Sequence, residues 1–164
     1  MRYKFFLLGL LLFSLVTYAQ TGVKVYGFYQ EQSPGTVAVD PVTNQEIRPD
    51  LPKVYQLYLS VPKGSRVQVR EVWVEGKRLS AKPEAVSSPV LFTSPGTGQK
   101  ETLIGKTGNT VYRLETSEPA TKVANARGKS LSAANRLVIV YTLNGTLRYA
   151  SLKSLKRLEP VMYM

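Results

Sequence analysis

Residues 53–75 read KVYQLYLSVPKGSRVQVREVWVE, and two strands can be read from them. In Lys53 to Val61, Tyr55, Leu57, Leu59 and Val61 recur at every second position and make one apolar face. Val54, Gln56, Tyr58 and Ser60 make a mixed face, as a period of two requires of a β-strand. Pro62-Lys63-Gly64 ends the run. In Arg66 to Glu75, Val67 and Val69 share a parity that Val72 and Val74 do not. A β-bulge near Arg70-Glu71 would return all four valines to the core side. The other reading is a strand with apolar groups on both faces, which would bury Trp73 or use it as a contact. Two strong runs joined by a tight turn read as a hairpin.

Outward from this pair, the same signals repeat. On the N-terminal side, Val23 to Gln30 is a strand candidate rich in Val, Tyr and Phe. Glu31 to Pro52 is mostly connection, with Pro34-Gly35, Asp40-Pro41 and Pro49-Asp50, and a short edge strand at Thr36 to Val39. On the C-terminal side, Ala81 to Ser88 reads as loop or one helical turn. Strands are expected at Pro89 to Thr93, Glu101 to Ile104 and Thr110 to Glu115. Ser117 to Ala134 reads as a long polar loop, with a short helix at Ser132 to Arg136. Leu137 to Leu143 (LVIVYTL) is the most hydrophobic segment of the mature chain, which suggests a central strand. Asn144-Gly145 is a strong hairpin signal, with Thr146 to Leu152 as the returning strand. Leu152, Leu155 and Leu158, spaced by three between Lys153, Lys156 and Arg157, suggest a short amphipathic helix over Ser151 to Leu158, with a strand as the alternative. Val161 to Met164 is a last strand or a docking tail.

Many short strands with turns between them, and no βαβ spacing, predict an all-β, β-sandwich-like fold with long loops and one short C-terminal helix. An immunoglobulin-like architecture is one form this could take, by architecture only, because the Cys…Trp…Cys pattern of antibody domains is absent. The N-terminus reads as a signal peptide over residues 1–19. Arg2 and Lys4 are its positive region, Phe5 to Val16 its apolar run, and Thr17-Tyr18-Ala19 its cleavage site. The apolar run is shorter than the roughly 20 residues of a membrane helix. Residues 20–164 then form a single β-rich domain, large enough for its own core.

Composition excludes much chemistry. The chain has no cysteine and no histidine. Disulfide scaffolds, thiol nucleophiles, iron–sulfur sites, lipidation at an N-terminal cysteine, Ser-His-Asp triads and the usual zinc sites all go with them. Neither a metal nor a cofactor is expected. Asp40, Glu46 and Asp50 lie in one turn-rich loop, which offers no opposed pair of carboxylates. Ser60-Val61-Pro62-Lys63 fits S-x-x-K and Lys106-Thr107-Gly108 fits K-T-G, but Pro62 and Gly64 after a strand disfavour the helical turn that would set Ser60 against Lys63. Asn144-Gly145-Thr146 matches a glycosylation acceptor and reads first as turn chemistry.

What remains is charge and surface. The formal net charge is +11, and only Arg2 and Lys4 leave with the leader. Basic residues gather around the first two strong strands, at Arg66, Arg70, Lys77 and Arg78, and in the C-terminal segment, at Arg148, Lys153, Lys156 and Arg157. These, with Trp73, are the candidate partner-binding residues. A leader and a cysteine-free β domain suggest the periplasm of a Gram-negative bacterium, or the periplasmic face of its outer membrane. The expected role is non-catalytic: an accessory or assembly subunit docking on another envelope protein, through strand addition or polar-aromatic contact. The alternatives are binding an anionic membrane surface or glycan, and, remotely, a Ser/Lys hydrolase. Export makes nucleic acid an unsuitable partner.

Overall fold

A computed structural model describes residues 22–34, 38–44, 46–47, 51–117 and 123–163. Residues 1–19, read above as a leader, lie outside the described residues. The strands are β1 (Lys24–Pro34), β2 (Ala38–Val39), β3 (Glu46–Ile47), β4 (Lys53–Val61), β5 (Val67–Val74), β6 (Lys77–Val86), β7 (Val90–Thr93), β8 (Lys100–Ile104), β9 (Thr110–Ser117), β10 (Leu137–Leu143), β11 (Thr146–Leu152), β12 (Lys156–Arg157) and β13 (Val161–Tyr163). The described residues hold one helix, α1 (Ala126–Ser132). The fold is all-β.

Nine strands make the main sheet, in the order β11-β10-β5-β6-β9-β4-β1-β12, with β13 also on β1. β6 makes this sheet curl into two facing layers. Its first residues pair with β5 (Val72↔Leu79, Val74↔Lys77), and from Ser80 onward it pairs with β9 instead. The layers are therefore joined at a shared corner strand, as in packings where strands pass between sheets. Leu57, Leu59, Val61 and Leu114 of one layer share a single core with Val72, Val74, Leu137 and Ile139 of the other. At Gly27 of β1 the two ends of the sheet meet. A Cβ there would lie 2.5 Å from Leu155 Cδ2, 3.1 Å from Leu137 Cδ2 and 3.4 Å from Leu152 Cδ1, so only glycine fits without repacking.

Both outer faces are covered. Outside β1, β4 and β9, the β7–β8 hairpin and Leu158 close a second cluster of Phe28, Tyr58, Val111, Phe92, Leu103 and Ile104. Outside β5 and β10, α1 packs over Trp73 and Val140. A Cβ on Gly128 would meet Val140 Cγ2 at 2.8 Å and Trp73 Nε1 at 3.2 Å.

Several expectations hold. The register of β5 against β10 slips between Val140 and Tyr141, which pair with Glu71 and Val69. This is the bulge at Arg70, and Val67, Val69, Val72 and Val74 all lie on the inner core. Asn144-Gly145 turns β10 into β11.

Others are corrected. β4 and β5 are not a hairpin: β4 pairs with β1 and β9, and β5 with β6 and β10. The turn after Val61 carries the chain across the core, so both strands point their apolar faces at each other instead of sharing a plane. Residues 81–86 are strand, because past Leu79 β6 pairs only with β9, and Pro83 needs to supply no ladder bond on its other side. β10 is next to the sheet's end rather than central; its run from Leu137 to Tyr141 is buried on both faces because α1 lies on the outside. The helix sits at Ala126–Ser132, not at Ser132 to Arg136, because the Asn125 side chain caps it by accepting from Gly128 N at 2.9 Å. Ser151 to Leu158 is not helical. The chain leaves β11, places Leu155 on the inner core and Leu158 on the outer cluster, and pairs Lys156 and Arg157 parallel to β1 between them.

Candidate functional site

The edge of the main sheet is set by a two-residue turn. Leu143 pairs with Thr146, and Asn144 and Gly145 between them have φ of 50° and 83°. Both values are positive, as a type I′ turn demands. The Asn144 side chain accepts from Arg66 N at 2.9 Å, and its own N–H donates to Arg66 O at 2.9 Å, which anchors the turn to β5. In such a hairpin the residues flanking the turn exchange both backbone bonds, and bonded pairs then alternate. Thr146, Arg148, Ala150 and Leu152 are therefore bonded to β10. The N–H and C=O groups of Leu147, Tyr149 and Ser151 point away from it.

Among the described residues β11 pairs with β10 alone. At its far end, Leu152 is met by Gly27 of β1. Toward the turn, Thr146, Leu147 and Arg148 are exposed, Leu147 at 44%. Natural edges are blunted by shortness, charged side chains (lysine above all), proline or a bulge, and of these β11 carries only the single charge of Arg148. The opposite edge follows that rule: β12 is two residues, both charged. β11 is seven residues, TLRYASL, without lysine or proline, and its register with β10 is unbroken.

The ground around this edge is basic. Residues 119–158, which include α1, β10 and β11, contain eight lysines and arginines and no acidic residue. Arg127 of α1 lies over the Tyr149 ring, 4.9 Å from its centre. The Tyr149 hydroxyl donates to Asn125 Oδ1 at 3.2 Å.

The acid that holds this layer together comes from β5. Glu71 is 6% exposed. It accepts from Trp73 Nε1 at 3.0 Å and from Asn125 N at 2.8 Å, and it faces Arg78 at 3.6 Å. A buried carboxylate is tolerated when its lone pairs are taken up in this way. Glu71, Trp73, Asn125 and Tyr149 thus fasten α1 to the sheet beside the edge.

Of the residues singled out from sequence, Trp73 is buried beneath α1 at 6% exposure and does not reach the surface. Arg78 pairs with Glu71, Lys156 with Glu101, and Arg157 with Glu31 at 2.6 Å. Arg66, Arg70, Lys77, Arg148 and Lys153 are exposed. Arg148 lies on β11 itself, Lys153 follows it, and Arg66 adjoins its turn. Lys77 opens β6, opposite Val74. Sequence reasoning counted Arg127 only as a base of the long polar loop, and passed over Leu147 and Tyr149. The N-cap at Asn125 was the signal that would have put Arg127 on a helix.

The other motifs resolve into structure. Ser60 is buried, and its hydroxyl accepts from Asn109 Nδ2 at 3.2 Å; Lys63 is exposed in the following turn, and no hydrogen bond joins the two among the described residues. Asp40 accepts from Val42 N at 2.7 Å and Thr43 N at 3.1 Å, bonds that hold its carboxyl below the usual range despite slight desolvation. The Glu46 side chain and Asp50 lie outside the described residues. Glu75, Ser132 to Arg136 and Lys153 line a shallow depression of about 390 Å³. Its Glu75 carboxylate is bound by Lys53 at 3.0 Å and the Tyr55 hydroxyl at 2.9 Å. Burial pushes Glu75 up, but those bonds and the charges of Lys53 and Arg136 outweigh it, so the group lies below its ordinary value. No helix among the described residues is long and apolar enough to cross a membrane. Compared with protein-family models, with curated proteins and with solved structures, the chain matches none.

Proposed function

We propose that this chain is an exported, non-catalytic accessory subunit that docks on another protein of the bacterial cell envelope. The observation that carries this reading is the seven-residue β11 edge, with one charge, no proline and no bulge, in a segment that is basic and contains no acidic residue. A row of unpaired backbone groups is a template for strand addition. Holding it open is a liability in a chain with no use for it. The leader read over residues 1–19 supports an extracytoplasmic location, and the absence of cysteine suits a bacterial domain that gains stability from its core.

Affinity capture of the tagged chain from its own envelope, in mild detergent and at low and high salt, tests this. The expected result is one envelope protein recovered in near-equal amount, retained at high salt because backbone pairing resists screening. Recovery of the chain alone at both salts overturns the reading and gives priority to anionic lipid or glycan binding.

A further inference from the structure

Resting on that docking reading, we infer that the β11 edge accepts an extended strand whose alternate residues are apolar and acidic. The outward groups of Leu147, Tyr149 and Ser151 supply the backbone bonds. In an added strand, residues opposite Leu147 and Tyr149 project to the same outer side as those two side chains. Leu147 is exposed and Tyr149 is half-buried under Arg127, so apolar partners suit both places. The residue opposite Arg148 falls on the other side of the strand, beside an exposed guanidinium with no ion pair among the described residues. An acid suits that place. Arg66, beside the turn that starts the strand, adds to the basic character of this edge.

A second copy of this chain is a poor occupant. Antiparallel pairing of β11 with itself about Arg148 sets two arginines opposite each other, which destabilises a sheet pair, and pairing about Leu147 or Tyr149 sets each Arg148 opposite Thr146 or Ala150, with no acid to face. The formal charge of +11, or +9 once Arg2 and Lys4 have left, opposes self-association as a whole. The occupant is therefore a heterologous acidic strand.

The test uses the mature chain from residue 20 onward. Its probes are two short capped peptides, one alternating valine with glutamate, the other valine with lysine. Binding is read by NMR shift titration. The glutamate peptide is expected to bind, with the largest amide shifts at Leu147, Tyr149 and Ser151, and the lysine peptide to bind at least about tenfold more weakly. Leu147→Pro removes one outward N–H without touching the ladder to β10 and is expected to abolish binding. Arg148→Glu is expected to weaken the glutamate peptide by about tenfold and to improve the lysine peptide. Unchanged thermal unfolding of both variants shows that they remain folded. Equal binding of the two peptides overturns the acidic assignment, and absence of binding by either overturns the strand-acceptor assignment. A chain that runs as a dimer which Leu147→Pro dissociates assigns the edge to a second copy and overturns it too. An envelope partner captured equally by the parent chain and both variants leaves the docking role standing while removing this edge from it; no captured partner removes the role itself.

Discussion

At the scale of single residues, the decisive feature is a carboxylate that alternation places on the wrong side of a strand. Glu71 sits outside the inner core, yet α1 covers it, and the bond it accepts from the Asn125 N–H ties the helix to the sheet. Glu71→Ala would strand the Trp73 and Asn125 N–H groups and take a carboxylate away from Arg78. The expected cost is about 3 kcal/mol, read from urea unfolding, and a loss near zero would show that α1 is not held this way. Glu75 gives a pH prediction. Its folded pKa is depressed, so its contribution is present above the ordinary carboxylate value and is lost as pH falls through the folded value. Glu75→Gln should therefore lower the Tm at pH 7, and lower it progressively less as the pH falls below the ordinary carboxylate value. Residues of this kind are hard to read in a sequence. VREVWVE shows a glutamate of ordinary alternation, and nothing local says that a segment some 50 residues later will cover it.

At the scale of elements, glycines mark where surfaces come closest. Gly128 in α1 would be a better helix former as alanine by about 1 kcal/mol, but its Cβ would collide with Val140 and Trp73. Gly128→Ala is expected to destabilise the chain by about 1–2 kcal/mol and to loosen α1, seen as faster amide exchange at Val138 and Val140. Stabilisation would contradict the packing described. The strands themselves were legible wherever alternation ran for several residues, as in β4, β5, β10 and β11, and the bulge at Arg70 followed from a parity change alone. Two short elements were misplaced for opposite reasons. α1 is only seven residues, too short for a periodic stripe, and was visible only through its Asn125 cap. The leucines at 152, 155 and 158 mimic a helical stripe, yet they bridge two separate cores in an extended path.

At the scale of the whole molecule, the all-β class was readable from turn density, but the pairing was not. Alternation states which way a side chain points within a strand. It does not state which strand lies alongside, so the turn at Pro62 looked like a hairpin when it crosses between layers. The same limit hid the open edge: β11 reads as half of a hairpin, and its exposure depends on which strand follows β10 on the other side. The most direct test of the docking account is residue-resolved amide hydrogen exchange on the mature chain, alone and bound to its envelope partner. Alone, Arg148 and Ala150 should be protected and Leu147, Tyr149 and Ser151 should exchange rapidly, in strict alternation. On binding, those three should become protected. Protection of all residues of β11 in the free chain, or binding that leaves these three unchanged while protecting another surface, would contradict the account.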